Sequence, residues 1–355
     1  MPPKRKLANS TSVARKPRKR AKKTSSERAF VWKPRQWFVK EEVTDQVFVL
    51  ASKENHKQLV VKKVMRIEKN IDKDYSPLEI RVLALLPDCN RISKPIFYSR
   101  SDDDPTTGTA IYTHYPLGDL EDWREERGAP VPESFIWRFF IQMSQALAVL
   151  QNVIEPRRAG QKTLIHRDIK PKNILVVENG TTYPSFKMHD FGCAFAYMEK
   201  KAAQPAFCGT FDWQPPENPI INTKAADVWG LGACVHYLAT GEPPIDDIER
   251  YKSGRVEIGL GDPPSARNYT SKSRYYAAKA PRKVTPINGV GGYQYSDELN
   301  GWMEKCLSFE PSNRPTVENL ISGMVEEAKP MLKMMGGHPA LTDLEAIIGS
   351  RGADT

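Results

Sequence analysis

The stretch from Leu164 to Val177, LIHRDIKPKNILVV, constrains this chain more than any other. Apolar runs at both ends bury the flanks and leave His166-Arg167-Asp168, Lys170 and Asn173 together on a short polar loop. A carboxylate, a lysine and an amide at this spacing suit phosphoryl transfer. The Asp can accept the proton of an attacking hydroxyl, the Lys can neutralise charge on the moving group, and the Asn can hold a metal ion. The tripeptide alone carries little weight, so its company along the chain decides.

With 355 residues and 40% hydrophobic content, the chain can build one large domain or two lobes around a real core. The formal charge of +9 comes from the first 23 residues, which hold ten of the 52 Lys and Arg and no acid; the remainder has 42 basic residues against 43 acidic. Positive charge is therefore a property of a tail and not of a folded surface. The five cysteines, Cys89, Cys193, Cys208, Cys234 and Cys306, lack the paired spacing of zinc sites, so buried free thiols in a reducing compartment, cytosol or nucleus, are expected. The charged start does not resemble a secretory signal, and no apolar run approaches the ~18 residues of a membrane span, so no membrane association is expected.

Residues 1–29 are rich in Lys, Arg, Pro and Ser and predict a disordered basic tail. Lys4-Arg5-Lys6 and the cluster Arg18 to Lys23, separated by an eleven-residue spacer, resemble a bipartite nuclear localisation signal, which implies an import receptor as partner and a nuclear location, with the cytoplasm as a second compartment. From Trp37 to Val64 alternating apolar residues predict a strand, a turn at Lys53 to Lys57 and a second strand. A helix is predicted over Ser76 to Leu86, with further strands at Ile92 to Tyr98 and Thr109 to Tyr115. Beyond that the pattern turns helical, with Phe135 to Val153, Lys224 to Thr240, Asp297 to Leu307 and Val317 to Ala328 as the strongest segments. Ile174 to Val177 and Phe186 to Met188 predict a short hairpin around the central loop.

The loop's company is present and in order. Asp190-Phe191-Gly192, LVVKKV with Lys62, Glu79 on the following helix, Pro215-Pro216-Glu217 preceded by Gly209-Thr210, Asp227-Val228-Trp229-Gly230 and Arg314 together resemble a eukaryotic protein kinase catalytic domain over roughly residues 36 to 330. The resemblance implies an α+β, two-lobe fold with a small antiparallel N-lobe sheet bearing one main helix (about 36–115) and a larger, mainly helical C-lobe (about 116–330). The domain would span 30–330, followed by a tail at 331–355. It implies Asp168 and Lys170 as catalytic residues, Asn173 and Asp190 as ligands of Mg2+, and a Lys62 to Glu79 pair fixing ATP. By the same resemblance Val47 and Val60 roof the adenine, Leu175 floors it, His114 lies in the hinge and Asp119 meets ribose or a substrate arginine. Asp119 equally suits a helix N-cap before Leu120-Glu121. Lys170 and Thr210 point to the serine/threonine branch, with a protein substrate.

Two departures stand out. The segment where the family has its glycine-rich phosphate loop reads WFVKEEVTDQVFV and has no glycine, while Glu41, Glu42 and Asp45 add negative charge, which lowers the expected affinity for a triphosphate. In the hinge IYTHYPLGDLEDW, if Thr113 guards the pocket then Pro116, with no N–H, falls where the adenine normally finds a donor; a slip of one residue restores Tyr115. The activation segment carries only Tyr197 and Thr210 as hydroxyl residues, so Arg167 lacks an obvious phosphoserine or phosphothreonine partner, and an active conformation independent of Ser/Thr phosphorylation is expected.

A long segment at 252–295 interleaves Arg267, Lys272, Arg274, Lys279, Arg282 and Lys283 with Tyr269, Tyr275 and Tyr276. It reads as a solvated insertion, with acidic-peptide or nucleic-acid binding as the alternative. The last apolar residues, Ala340 to Ile347, suit docking on the domain or on a partner. The expected function is a nuclear serine/threonine protein kinase. The alternatives are a nuclear pseudokinase scaffold and a nucleic-acid binder, and retention of Lys62, Asp168 and Asp190 favours the enzyme.

Overall fold

Alternating apolar residues in the first third of the chain pair into an antiparallel sheet, as their period of two requires. Its five strands are β1 (Trp37–Thr44), β2 (Val47–Ser52), β3 (Leu59–Arg66), β4 (Phe97–Arg100) and β5 (Thr107–Thr113), in the order β1-β2-β3-β5-β4, with helix α1 (Leu78–Leu85) between β3 and β4. The computed structural model describes residues 30–67, 76–128, 130–157, 160–257, 269–289, 292, 294–345 and 347. The basic tail 1–29 and Arg267 lie outside the described residues. Every element named here belongs to one compact unit, Trp32–Thr355.

The strand expected from Ile92 begins only at Phe97. Pro95 has no N–H to give a ladder, and the backbone before it turns instead to Met188, whose N–H donates to Arg91 O (2.9 Å) and whose carbonyl accepts from Ser93 N–H (2.9 Å). This fastens the link between α1 and β4 to the second lobe.

That lobe is built from α2 (Leu120–Arg127), α3 (Glu133–Leu150), β6 (Leu164–Ile165), β7 (Ile174–Val177), β8 (Ser185–Met188), β9 (Phe195–Ala196), α4 (Glu199–Ala202), α5 (Lys224–Thr240), α6 (Ile248–Glu257), α7 (Lys272–Lys279), α8 (Asp297–Cys306), α9 (Val317–Asn319) and α10 (Val325–Gly336). Every residue of α3 from Phe135 to Leu150 is buried, so this helix is the axis of the core and not an amphipathic surface element. Beside it, α5 is buried from Ala226 to Ala239, started by the Thr223 side chain on Ala226 N–H and stopped by Gly241 at φ 92°. The hairpin β7–β8 lies on α3 and carries the LIHRDIKPKN loop at its entrance. Among the described residues no helix is long and apolar enough to cross a membrane.

The last helical segment runs past Ala328 to Gly336 through a π turn at Leu320–Met324. After it come a short 3-10 turn, His338–Leu341, and then an irregular strap. The strap docks on the domain. Fully buried Arg138 of α3 donates to the carbonyls of Ala340 (2.6 Å) and Thr342 (2.8 Å), and Gln145 to that of Leu344 (2.6 Å). Arg91 bonds both Gln145 and the Asp343 carbonyl. Removing one buried donor leaves several carbonyls without partners. Arg138→Ala is therefore expected to lower unfolding stability by about 2–4 kcal/mol in chemical denaturation. A loss below about 1 kcal/mol would show that the strap adds little to the fold.

Candidate active site

The polar loop between β6 and β7 is held from beneath by one carboxylate. Asp227, at the start of α5 and 1% exposed, accepts the N–H groups of His166 (2.7 Å) and Arg167 (2.8 Å). Burial raises its pKa, against the two N–H donors and the neighbouring His166 and Arg167 charges. Arg167 sits at φ 66°, a left-handed conformation that turns Asp168 outward. Asp168 then gathers the groups around it. Its Oδ1 accepts Thr210 N–H (2.8 Å), its Oδ2 lies 3.2 Å from Lys170 Nζ and 3.0 Å from Asn173 Nδ2, and Lys170 also donates to Thr210 Oγ1 (2.5 Å). Gly209, at φ 77°, is required here, because a Cβ would stand 2.7 Å from the Arg167 carbonyl.

Facing this cluster across the cleft is a second one. Lys63 Nζ lies 2.7 Å from Glu79 Oε2 of α1 and 2.9 Å from Asp190 Oδ1, and the Tyr112 hydroxyl donates to Glu79 Oε1 (2.7 Å). Burial opposes charge on both Lys63 and Asp190; attraction to Glu79, and then to Asp190, overrides it for the lysine, and the lysine's charge overrides it for Asp190. The lysine pKa is raised and the Asp190 carboxyl is held down at about 2. Asp190 occupies a left-handed backbone position, φ 57°. Beneath, burial lowers His189 to about 4, so a neutral imidazole meets the Lys172 carbonyl. The segment after Asp190 is closed by Glu217, paired with Arg314 through two bonds of 2.6 and 2.7 Å.

The family model described as the protein kinase domain matches residues 44–324. The chain belongs to the protein kinase family. The kinase domain is similar to the probable serine/threonine-protein kinase nek2 of Dictyostelium discoideum, 27% identical over 251 residues that cover 68% of this chain and 50% of that protein. It is similar also to the dual specificity mitogen-activated protein kinase kinase mek-2 of Caenorhabditis elegans, 26% identical over 68% of this chain and 62% of the relative. Serine/threonine-protein kinase dst2 of D. discoideum is 29% identical, over 44% of this chain and 12% of its own. The chain thus spans less than two thirds of the length of these relatives.

On the kinase framework, one expected residue is displaced by a single position. Lys63, not Lys62, makes the ion pair with Glu79, because β3 alternates and only Val61, Lys63 and Met65 face α1, with Val61 and Met65 packed against Ile80 and Tyr112. Lys62 points the other way, over the Phe48 ring at 5.7 Å. The same parity puts Val60, expected at the adenine roof, on the buried face opposite Lys63, whereas Val61 shares the face of Lys63 and Val47, also expected at the roof, stands opposite Lys63 in β2. Tyr112 pairs with Val61 across β3 and β5, one position before Thr113, the residue expected to guard the pocket.

Leu175 is half-buried and bridged to Asp119, and His114 is half-buried in the hinge, its pKa lowered by burial and by the Lys40 charge. Asp119 is the N-cap of α2, its Oδ1 accepting from Glu121 N–H (2.9 Å) and Asp122 N–H (3.0 Å); burial raises it to about 6.

The glycine-free hairpin has its own logic. Its turn is only Asp45-Gln46, and the Thr44 hydroxyl accepts the N–H groups of both Gln46 (3.2 Å) and Val47 (3.1 Å). The amides a phosphate would otherwise meet are already bonded. Nucleotide phosphates would therefore depend on Lys63 and on a divalent cation held from the lower lobe. Asp190 and Asn173 suit that cation. The Asn173 Nδ2 is fixed on Asp168, which leaves its Oδ1 as the oxygen ligand, and two protein oxygens plus phosphates are a usual magnesium set. No group of three His, Cys, Asp or Glu forms a rival metal site among the described residues.

Sequence patterns also missed the role of the basic insertion. Arg282 is buried and donates to the carbonyls of Gln214 (2.7 Å), Phe211 (2.8 Å), Ala277 and Ala280, while Arg274 bonds the Gly209 carbonyl (3.2 Å). These two residues clamp the backbone on both sides of Thr210. Lys63→Met is expected to weaken magnesium-ATP binding or turnover by at least about 100-fold, while Lys62→Met stays within about threefold. Titration with a fluorescent ATP analogue separates the two variants, and equal losses would refute the register. Tyr112→Phe, which frees one oxygen of buried Glu79, is expected to lower nucleotide affinity by about three- to tenfold in the same titration; unchanged affinity would show that Tyr112 does not position the pair.

Proposed function

We propose that the chain transfers the γ-phosphate of ATP to serine or threonine hydroxyl groups of protein substrates. The observation that carries this is the cluster on Asp168, where Lys170, Asn173 and Thr210 converge within 2.5–3.2 Å of one another or of the carboxylate. In this arrangement Asp168 orients the substrate hydroxyl and accepts its proton, and Lys170, steadied by Thr210, offsets charge on the moving phosphoryl group. Magnesium, when bound by Asp190 and Asn173, supplies positive charge to the phosphate oxygens. Lys63, fixed by Glu79, orients the nucleotide. Similarity to kinases named as serine/threonine and dual-specificity enzymes supports hydroxyl substrates.

The loop is read as needing no activating phosphate on Ser or Thr. Arg167 already has neutral partners, Asn222 Oδ1 (2.8 Å) and the Cys193 carbonyl (2.7 Å), and lies 5.1 Å from the Phe195 ring centre. These contacts fill the place of an anion. The tail at 1–29, by its two basic clusters, would direct the protein to the nucleus through an import receptor. Nucleic-acid binding by the insertion is less favoured, since Arg274 and Arg282 are occupied with main-chain carbonyls.

The scaffold alternative keeps one specific support, the phosphate-facing hairpin whose amides are engaged by Thr44. A single assay distinguishes the two. Purified protein, treated with phosphatase and then supplied with magnesium-ATP and a mixed peptide library, is expected to incorporate phosphate at least about 1,000-fold faster than Asp168→Asn. Background incorporation by both proteins selects the scaffold, and a requirement for phosphate on Thr210 removes the claim of phosphorylation independence.

A further inference from the structure

The basic, tyrosine-rich insertion does more than brace Thr210. From Pro263 to Ser296 the sequence holds six Lys or Arg and no Asp or Glu. Within it, α7 packs on the turn Phe211–Trp213 that directly follows Thr210. The contact is aromatic. Tyr269 meets Phe207 edge-on with ring centres 5.2 Å apart, and its ring centre lies 5.4 Å from that of buried Phe211 and 5.4 Å from that of Tyr275. Buried Arg282 ties the two pieces together, since it donates to carbonyls of the turn, Phe211 and Gln214, and to those of α7, Ala277 and Ala280. The helix is a fixed wall beside the activation segment.

On that wall Arg274 is turned toward the cleft. Its guanidinium lies 4.8 Å over the Phe211 ring, and its Nη2 donates to the Gly209 carbonyl (3.2 Å). Gly209 in turn borders Asp168, for a Cβ at that position would stand 3.2 Å from Asp168 Oδ1. The intervening bonds therefore place Nη2 no more than about 10 Å from the carboxylate. The carbonyl uses one of the five N–H donors of a guanidinium. The side chain stays exposed, and among the described residues no carboxylate pairs with it. We propose that Arg274 is a specificity-determining residue, which selects peptide substrates that carry an aspartate or glutamate within two residues of the phosphorylated hydroxyl. This rests on the kinase reading, which puts that hydroxyl at Asp168.

The reach and the chemistry agree. Two residues of an extended peptide span about 7 Å, and a carboxylate at the end of its own side chain covers the rest of the distance to the guanidinium. The planar fork of an arginine matches a carboxylate and repels a lysine or arginine in the same place. Because the Phe211 ring and the Gly209 carbonyl already fix the plane of Arg274, little side-chain freedom is lost when a substrate pairs with it. Exposed Lys272 on the same helix adds positive charge, and Asp212, the acid nearest in sequence to Thr210, is half-buried. Asp168 itself is engaged by Thr210, Lys170 and Asn173. The pair would form in contact with water, so the selectivity is moderate and sensitive to salt.

Synthetic peptides with one serine in an alanine-rich frame, carrying Asp, Ala or Lys at each of the two positions before and the two after it, test this on the full chain with magnesium-ATP. Asp at one or more of these positions is expected to raise kcat/KM about three- to tenfold over Ala, chiefly through KM, and Lys to lower it. The gain should shrink toward parity as salt rises from about 0.05 M to about 0.5 M. Arg274→Glu should reverse the order and favour Lys over Asp. A residue that only braced the backbone would slow all peptides alike, so ratios left unchanged by Arg274→Glu overturn the proposal, as does the lack of any Asp preference at the four positions. Fluorescence anisotropy of labelled peptides with Ala in place of the serine reads binding without turnover. A chain that transfers no phosphate, yet binds the Asp peptide about three- to tenfold tighter than the Ala peptide and loses that difference in Arg274→Glu, would fail the kinase assignment and leave the acidic-peptide site standing. A chain that phosphorylates the Asp and Ala peptides equally keeps the kinase assignment and removes this one.

Discussion

The site depends first on the two hydrogen bonds from the His166 and Arg167 amides to Asp227. Consecutive N–H groups in an extended strand point to opposite sides. For one carboxylate to accept both, the chain must turn sharply, and Arg167 does so at a positive φ that costs a non-glycine residue about 1–2 kcal/mol. Charge-assisted bonds in a buried setting are strong enough to offset that cost. The turn delivers Asp168 to the cleft, so the residue proposed as proton acceptor is positioned by a buried carboxylate at the start of α5. Asp227 in turn is fixed because α5 is buried along nearly its whole length.

From this anchor the rest of the cleft is assembled by pairs that reach across long stretches of sequence. Arg314 holds Glu217, Arg282 holds the carbonyls after Thr210, and Lys63 joins Glu79 to Asp190. Tyr112 adds a fourth member, since its hydroxyl gives Glu79 a second buried partner. Lone burial of Glu79 would be expensive. With the lysine on one oxygen and the phenol on the other, α1 has a strong reason to stay against the sheet. Contacts that need no phosphate likewise hold Arg167 on Asn222 and on the Cys193 carbonyl.

Much of this was legible in the chain, and the failures share a cause. The loop residues Asp168, Lys170 and Asn173, the Asp190-Phe191-Gly192 turn and the start of the Asp227 helix were readable because each motif keeps its residue types at fixed local spacing. The pair was assigned to Lys62 instead of Lys63 because two adjacent lysines on a strand are equivalent in composition and opposite in direction; the side chain that reaches Glu79 is Lys63. The same parity places Val60 on the face of β3 opposite Lys63. The C-terminal strap was opaque for a different reason. Arg138, Gln145 and Arg91 recognise its main-chain carbonyls, which leave no pattern of side chains to find.

The absence of glycine between β1 and β2 acquires a structural meaning once Thr44 is placed. A glycine-rich loop leaves amide N–H groups facing phosphate, whereas here the turn is two residues long and Thr44 Oγ1 takes two of those donors for the protein itself. The hairpin is stabilised as a hairpin at the expense of its capacity to cradle an anion. Glu41 and Glu42, both exposed on β1, set negative charge on the same strand. On the proposed function, the upper lobe would contribute mainly one cation, Lys63, and the remaining compensation would fall to a cation held by Asp190 and Asn173. In such a cleft, phosphate affinity should follow magnesium concentration more steeply than where loop amides share the load, because the metal carries a larger fraction of the interaction.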